Sequence, residues 1–150
     1  MSADNKAIVR EYIEEVCVKG NLNLVDKYIA PNFVGRTVGM PVAEGREGFK
    51  QMLTGVYNAF ANPQYTIEDL IAEGDKVVAR WTFRGTHQQE IMGIAPTGKR
   101  VEMTGTITYR MANGQVQEWW EHIDFLGMLQ QLGAIPILGP GGREAQEGTA

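Results

Sequence analysis

The sequence predicts a single α+β domain, built from N-terminal helices followed by a curved antiparallel sheet. Three observations carry this. Apolar residues recur at helical spacing as far as Phe60 and switch to strand-like alternation after Pro63. Asn113-Gly114 sits between two alternating runs, the strongest short-range hairpin signal. Helices first and a meander afterwards exclude a βαβ parallel fold. A chain of 150 residues suits one domain with a real core.

The first helix is read from Ile8, Val9, Tyr12, Ile13 and Val16 on one face, against Arg10, Glu11, Glu14 and Glu15 on the other. Ser2 or Asp4 would cap its start, and Gly20 would stop it. A short second helix is expected over Asn23 to Tyr28, ahead of Pro31. Ala30 to Glu44, rich in glycine and proline and without a period, is expected to be a loop or an edge strand. Phe49, Met52, Leu53, Val56, Tyr57 and Phe60 mark a third amphipathic helix closed by Asn62-Pro63.

Four strands follow. Tyr65 to Glu73 turns at Gly74-Asp75 into a second strand, in which Val77, Ala79, Trp81 and Phe83 share one face and Arg80, Thr82 and Arg84 the other. The third runs from Val101 to Met111, with Val101, Met103, Ile107 and Tyr109 on one side. The fourth, from Gln115 to about Ile123, sets Trp119, Glu121 and Ile123 on one face and Glu118, Trp120 and His122 on the other. Adjacent tryptophans must point oppositely, so both faces of this strand are expected to be partly covered. Ile135, Ile137 and Leu138 are expected to dock on the body, and the last ten residues to be mobile.

Composition narrows the function. A net charge of −4 supplies no basic face for nucleic acid. No run approaches the roughly 20 apolar residues of a membrane span. Charged residues interrupt the N-terminus where a signal peptide would be apolar, and Cys17 is the single cysteine, so a cytoplasmic protein without disulfides is expected. Gly93 to Arg100 approaches a phosphate-binding P-loop, but Arg100 stands where Ser or Thr must reach Mg²⁺, and the segment leads into a strand. It reads as a long connection, of the sort that can close over a pocket as a lid. His87 and His122 are the only histidines and no paired metal-ligand spacing exists, so no metal is expected. His87 falls on the buried face of its strand, as a core histidine or a pocket residue. Glu121, beside tryptophan, is a candidate acid–base group if its face is the concave one, since burial raises a carboxyl pKa toward neutrality. Asp124 precedes the apolar run Phe125, Leu126, Met128, Leu129 and reads as a helix cap.

Gly85-Thr86-His87, Met92 to Lys99, Arg110 to Gly114, and then Glu118, Trp120, Asp124 and Gln131-Leu132-Gly133 resemble the SnoaL-like polyketide cyclases, within the nuclear-transport-factor-two-like and ketosteroid-isomerase-like superfold. The resemblance is strong over the second half of the chain and one of pattern in the first. It implies a domain over residues 1–133 with a tail over 134–150, and an α+β cone in which helices pack into a strongly curved antiparallel sheet around a pocket. It also implies a homodimer or homotetramer formed through the sheet, and ring closure by intramolecular aldol condensation without metal or cofactor.

An aspartate acts as acid and base in that family, and Glu121 stands at the matching position with a stem one carbon longer. His87 matches a recurring histidine, so it would orient substrate or stabilise an oxyanion; Asp124 and His122 would at most assist. A helper glutamine of one characterised branch is matched by Gly105, which leaves that helper missing. An apolar carbonyl compound would be the substrate, lined by Trp81, Phe83, Met103, Ile107, Tyr109 and Trp119 from the sheet and Phe49, Leu53, Val56 and Tyr57 from the third helix. The rival reading is a non-catalytic ligand-binding or oligomeric module on the same scaffold. Epoxide hydrolysis ranks below both, because Arg80 and Arg84 lie opposite Trp81.

Overall fold

A computed structural model describes residues 2–137. The first helix, α1, spans Ser2–Tyr12 and passes into a π-helical turn over Ile13–Val18. That turn is closed by the Lys19 N–H donating to the Glu14 carbonyl five residues back, at 3.0 Å. A 3₁₀ turn at Leu22–Leu24 leads into α2 (Val25–Tyr28), so the expected second helix is split in two. Residues 30–44 hold both strand and loop. β1 (Ile29–Thr37) is a full strand, β2 (Ala43–Glu44) a short one, and α3 (Gly45–Ala59) follows.

Phe60 does not end the third helix as expected but opens β3 (Phe60–Glu73). The register of β3 shifts between Ala61 and Gln64, where Asn62 takes a positive φ, and again between Ile67 and Asp69. Such bulges bend a strand and strengthen its twist. β4 (Lys76–His87), β5 (Arg100–Ala112) and β6 (Gln115–Ile123) complete the meander, and α4 (Phe125–Gln131) closes the described fold. Asn113 and Gly114 have φ of 53° and 72°, the two positive values that a type I′ hairpin turn demands.

The sheet has six strands in the order β2-β1-β6-β5-β4-β3. β1 runs parallel to β6 and every other pair is antiparallel, so the sheet is mixed, where the sequence suggested an antiparallel one. Nor is β1 at the edge: it lies between β2 and β6.

One face of the sheet is apolar, and α1, the π-helical turn and α3 pack into it. Val77, Ala79, Trp81, Phe83, Val101, Met103, Ile107, Tyr109, Met111, Val116 and Trp119 are buried there. An aromatic group at its centre joins the layers: Phe33 from β1, Phe49 from α3, Tyr12 from α1, and Tyr109 and Trp119 from the sheet, with neighbouring ring centroids 4.9 to 6.1 Å apart. Truncating one such buried ring costs about 3–5 kcal/mol. The opposite face is polar, with Arg80 paired to Asp69 and Arg84 to Glu102. Gly133 takes a positive φ after α4. Leu138 and the last ten residues lie outside the described part. Among the described residues no helix is long and apolar enough to cross a membrane.

Candidate active site

Glu121 stands on β6, with Thr37 of β1 and Ile107 of β5 as its register partners. Its side chain points into the apolar side of the sheet. The Thr37 hydroxyl donates to Oε1 at 3.1 Å, and the Trp81 indole N–H donates to Oε2 at 3.1 Å. Burial raises the carboxyl pKa to about 7, while the Thr37 and Trp81 hydrogen bonds pull the other way and limit the rise. Three residues earlier, Glu118 points to the opposite face and receives Arg110 and Arg36, each at 2.6 Å. Those bonds hold its carboxyl below the usual range. Alternation along one strand therefore separates a carboxyl raised toward neutrality from one held below the usual range.

Trp81 lies on β4 directly across from Gly105 of β5. A Cβ at position 105 would come within 2.3 Å of Trp81 Cζ2 and 2.9 Å of the His122 carbonyl oxygen. The indole thus fills the place of a side chain at 105, where the resemblance left a helper missing. Tyr65 from β3 stacks on the other side of Trp81, with centroids 5.5 Å apart and planes at 23°. Beyond Tyr65 lies a cavity of about 250 Å³ lined by Cys17, Val18, Tyr57, Pro63, Gln64, Tyr65 and Phe83. The Tyr57 hydroxyl is buried without a hydrogen-bond partner among the described residues, which leaves it available to a bound molecule. Burial pushes the Tyr57 phenol and the Cys17 thiol each up to about 12.

The predicted residues divide into groups. Glu121 and Trp81 are in contact, and Tyr57 and Phe83 line the cavity. Phe49, Leu53, Met103, Ile107, Tyr109 and Trp119 belong to the packed core, with Val56 half-buried against it. Aromatic rings fill much of the interior between the helices and the curved sheet.

His87 is not brought to Glu121. It lies six residues beyond Trp81, roughly 20 Å along an extended strand. Fully buried, it has Nδ1 within 3.2 Å of the Thr97 N–H and 3.1 Å of the Thr97 hydroxyl, while Nε2 is buried without a partner among the described residues. Its backbone pairs with Gly98 and Lys99, so it anchors the connection between β4 and β5. None of the cavity's lining residues comes from that connection, and it opens no helix, as a P-loop would.

His122 is exposed on the outer face, turned away from Glu121. Asp124 caps α4, its Oδ1 accepting the Gly127 N–H at 2.9 Å. Among the described residues no three His, Cys, Asp or Glu side chains are grouped as a metal site requires.

Thr37, Cys17 and Tyr65 were missed. Thr37 lay in a stretch without a period. Cys17 lies in the π-helical turn, four residues after the buried Ile13. Tyr65 alone carried a signal, as the first aromatic residue of its predicted strand.

A buried carboxyl with its pKa raised to about 7 and held by two neutral donors is equipped to take a proton from a weak carbon acid and return it, although Glu121 itself does not line the cavity beyond Tyr65. The chain is 28% identical over 116 residues to nogalonic acid methyl ester cyclase of Streptomyces nogalater, covering 76% of this chain and 87% of that protein. A solved structure from Acidithiobacillus ferrooxidans, provisionally described as a polyketide cyclase, superposes with a TM-score of 0.77 at 33% identity, covering 89% of this chain and 97% of the other. AclR of Streptomyces galilaeus, provisionally described as a hydroxylase, does so with a TM-score of 0.78 at 29% identity, covering 91% and 100%. The family model for SnoaL-like polyketide cyclases matches residues 7–132, and the chain belongs to that family.

Proposed function

We propose that the protein closes a ring in an apolar carbonyl compound by intramolecular aldol condensation, with Glu121 as both acid and base. The observation that carries this reading is the Glu121 carboxyl, buried against Trp81 and Thr37 with its pKa raised to about 7. In its ionised form the carboxylate removes a proton from a carbon flanked by carbonyl groups. The resulting enolate carbon attacks a second carbonyl of the same molecule and a C–C bond forms. The proton held by Glu121 then passes to the new alkoxide. The proton taken from carbon is the one delivered to oxygen, so the step balances with no external oxidant.

An ester-bearing polyketide is the substrate class to test first, since the relative at 28% identity is named for nogalonic acid methyl ester. With that compound, Glu121→Gln should lower turnover by about 10²–10⁴-fold while leaving the protein folded. Turnover in the native protein should rise with pH through about 7, as the base ionises. Unchanged turnover in Glu121→Gln would overturn the assignment. The reading includes a homodimer or homotetramer formed through the outer sheet face, where Trp120 and Ile71 are exposed. Molecular mass in solution tests that part.

A second reading, a small-ligand binder without chemistry, is favoured by the cavity's lining, which includes Tyr57, Tyr65 and Phe83 but not Glu121. A binder would hold the same compound equally well in the native protein and in Glu121→Gln, and convert it in neither.

A further inference from the structure

We propose that Trp81 is the positioning residue for Glu121, that Gly105 exists to admit its indole, and that Oε1 is consequently the oxygen through which Glu121 exchanges protons. The catalytic part rests on the reading of Glu121 as proton shuttle; the geometry stands without it.

Gly105 has no positive φ, so backbone conformation does not demand glycine there. Space does. A Cβ would fall 2.3 Å from Trp81 Cζ2 and 2.6 Å from Cε2, atoms of a ring already wedged by Tyr65 on its other side. Any larger residue at 105 would drive the indole out of reach of Oε2. Two neighbouring strands therefore set the donor: Trp81 across from Gly105 on β5, and Ile67, two residues after Tyr65, as its register partner on β3.

The two carboxyl oxygens then differ in kind. An indole N–H is a donor only, so Oε2 faces a hydrogen whether Glu121 is ionised or not. A hydroxyl both donates and accepts. Thr37 can give its hydrogen to the carboxylate and, after rotation, receive one from the protonated acid. The proton of the neutral carboxyl is therefore carried on Oε1.

The test is the titration of the Glu121 carboxyl itself, read by ¹³C NMR of the full chain with labelled glutamate and assigned by the signal lost in Glu121→Gln. The titratable groups that face Glu121 are Cys17 from the π-helical turn, Tyr65 from β3 and Tyr109 from β5, and burial raises all three. None contributes to a labelled glutamate signal. In Trp81→Phe, which keeps an aromatic ring and removes the N–H, the midpoint should rise by about one pH unit, the order expected for losing one hydrogen bond to a charged group. An unmoved midpoint would show that Trp81 only packs, and would end the proposal.

Gly105→Ala should raise the same midpoint and lower the thermal midpoint. The thermal loss should be smaller in the Trp81→Phe background, where Cζ2 is gone. Equal thermal losses in both backgrounds would remove Gly105 from the argument. If Gly105→Ala does not fold, Trp81→Phe alone decides. Thr37→Val, which leaves Oε1 without a hydroxyl, should slow turnover more than Trp81→Phe does; the reverse order would assign the exchange to Oε2. The titration needs no substrate. Turnover surviving in Glu121→Gln would therefore defeat the proposed function, while the midpoint would still report the Trp81 bond.

Discussion

Glu118 and Glu121 leave the same strand on opposite faces, and their surroundings move the two carboxyls in opposite directions. Both residues therefore make stability depend on pH, with opposite signs and in different windows.

Glu121 binds its proton more tightly folded than unfolded, since its pKa is raised from an ordinary 4.5 to about 7. Between those values the native state holds a proton that the unfolded chain has released, so stability falls as pH rises. Above pH 7 both states are ionised and the loss is complete. The total is about 3 kcal/mol at 1.36 kcal/mol per unit. Urea denaturation at pH 5 and pH 8 should show this decline in the native protein. In Glu121→Gln, which cannot titrate there, the corresponding decline should be absent.

Glu118 behaves the other way. Arg110 and Arg36 lower its pKa, so its contribution is present above the ordinary value of 4.5 and disappears as pH falls through the lower folded one. Both arginines are partly exposed, so the paired carboxyl contributes only about 1 kcal/mol. Glu118→Gln should be less stable than the native protein by about that amount at pH 6. The gap should narrow at pH 3 and in high salt.

Cys17 lines the cavity, yet burial pushes its thiol up to about 12. The thiolate is the reactive form, so at pH 8 the native protein should react with a thiol reagent roughly a thousandfold more slowly than the urea-unfolded chain. Chromophore release measures both rates. Comparable rates would mean that the π-helical turn does not keep Cys17 packed.

Asp124 separates a cap from a catalyst. Asp124→Ala should cost about 1 kcal/mol in denaturant midpoint analysis, whereas Asp124→Asn, which preserves an accepting oxygen, should cost little. Turnover, compared below the melting range, should be the same in both. A large fall in Asp124→Asn would return this residue to the chemistry.

The elements most legible in the sequence were those in which local pattern and tertiary setting agree. β6 begins after the Asn113-Gly114 turn, and past a bulge at Gln117 its alternation holds from Glu118 to Ile123, so the grouping of Glu121 with Trp119 is readable from the sequence. β1 was obscure because its partners are far away: Thr37 meets Glu121 across 84 positions, and nothing local announces a parallel pairing. The start of β3 was hidden by Asn62-Pro63, which look like a loop and are absorbed by an irregularity in the ladder. Alternation puts Trp81 on the buried face of its strand and Glu121 on the face of Trp119 without deciding which of that strand's faces is concave, and a hydrogen bond between strands two apart in the sheet depends on side-chain reach that alternation does not encode. His87 shows the converse. Its burial was legible, whereas its distance from Glu121 depends on the register of β4 against its neighbours.

β5 extends beyond the end of β6, and Gln131 occupies the gap. The Glu102 N–H donates to Gln131 Oε1 at 2.7 Å, and Gln131 Nε2 donates to the Glu102 carbonyl at 2.8 Å, so one side-chain amide imitates the peptide of a missing strand. An overhang with free peptide groups is a template on which another chain can add. Here α4 delivers a counterfeit neighbour that satisfies the template and offers no further edge to copy. A protein that closes its ladder with a side chain gains protection against aggregation from the same helix that seals the floor of its core.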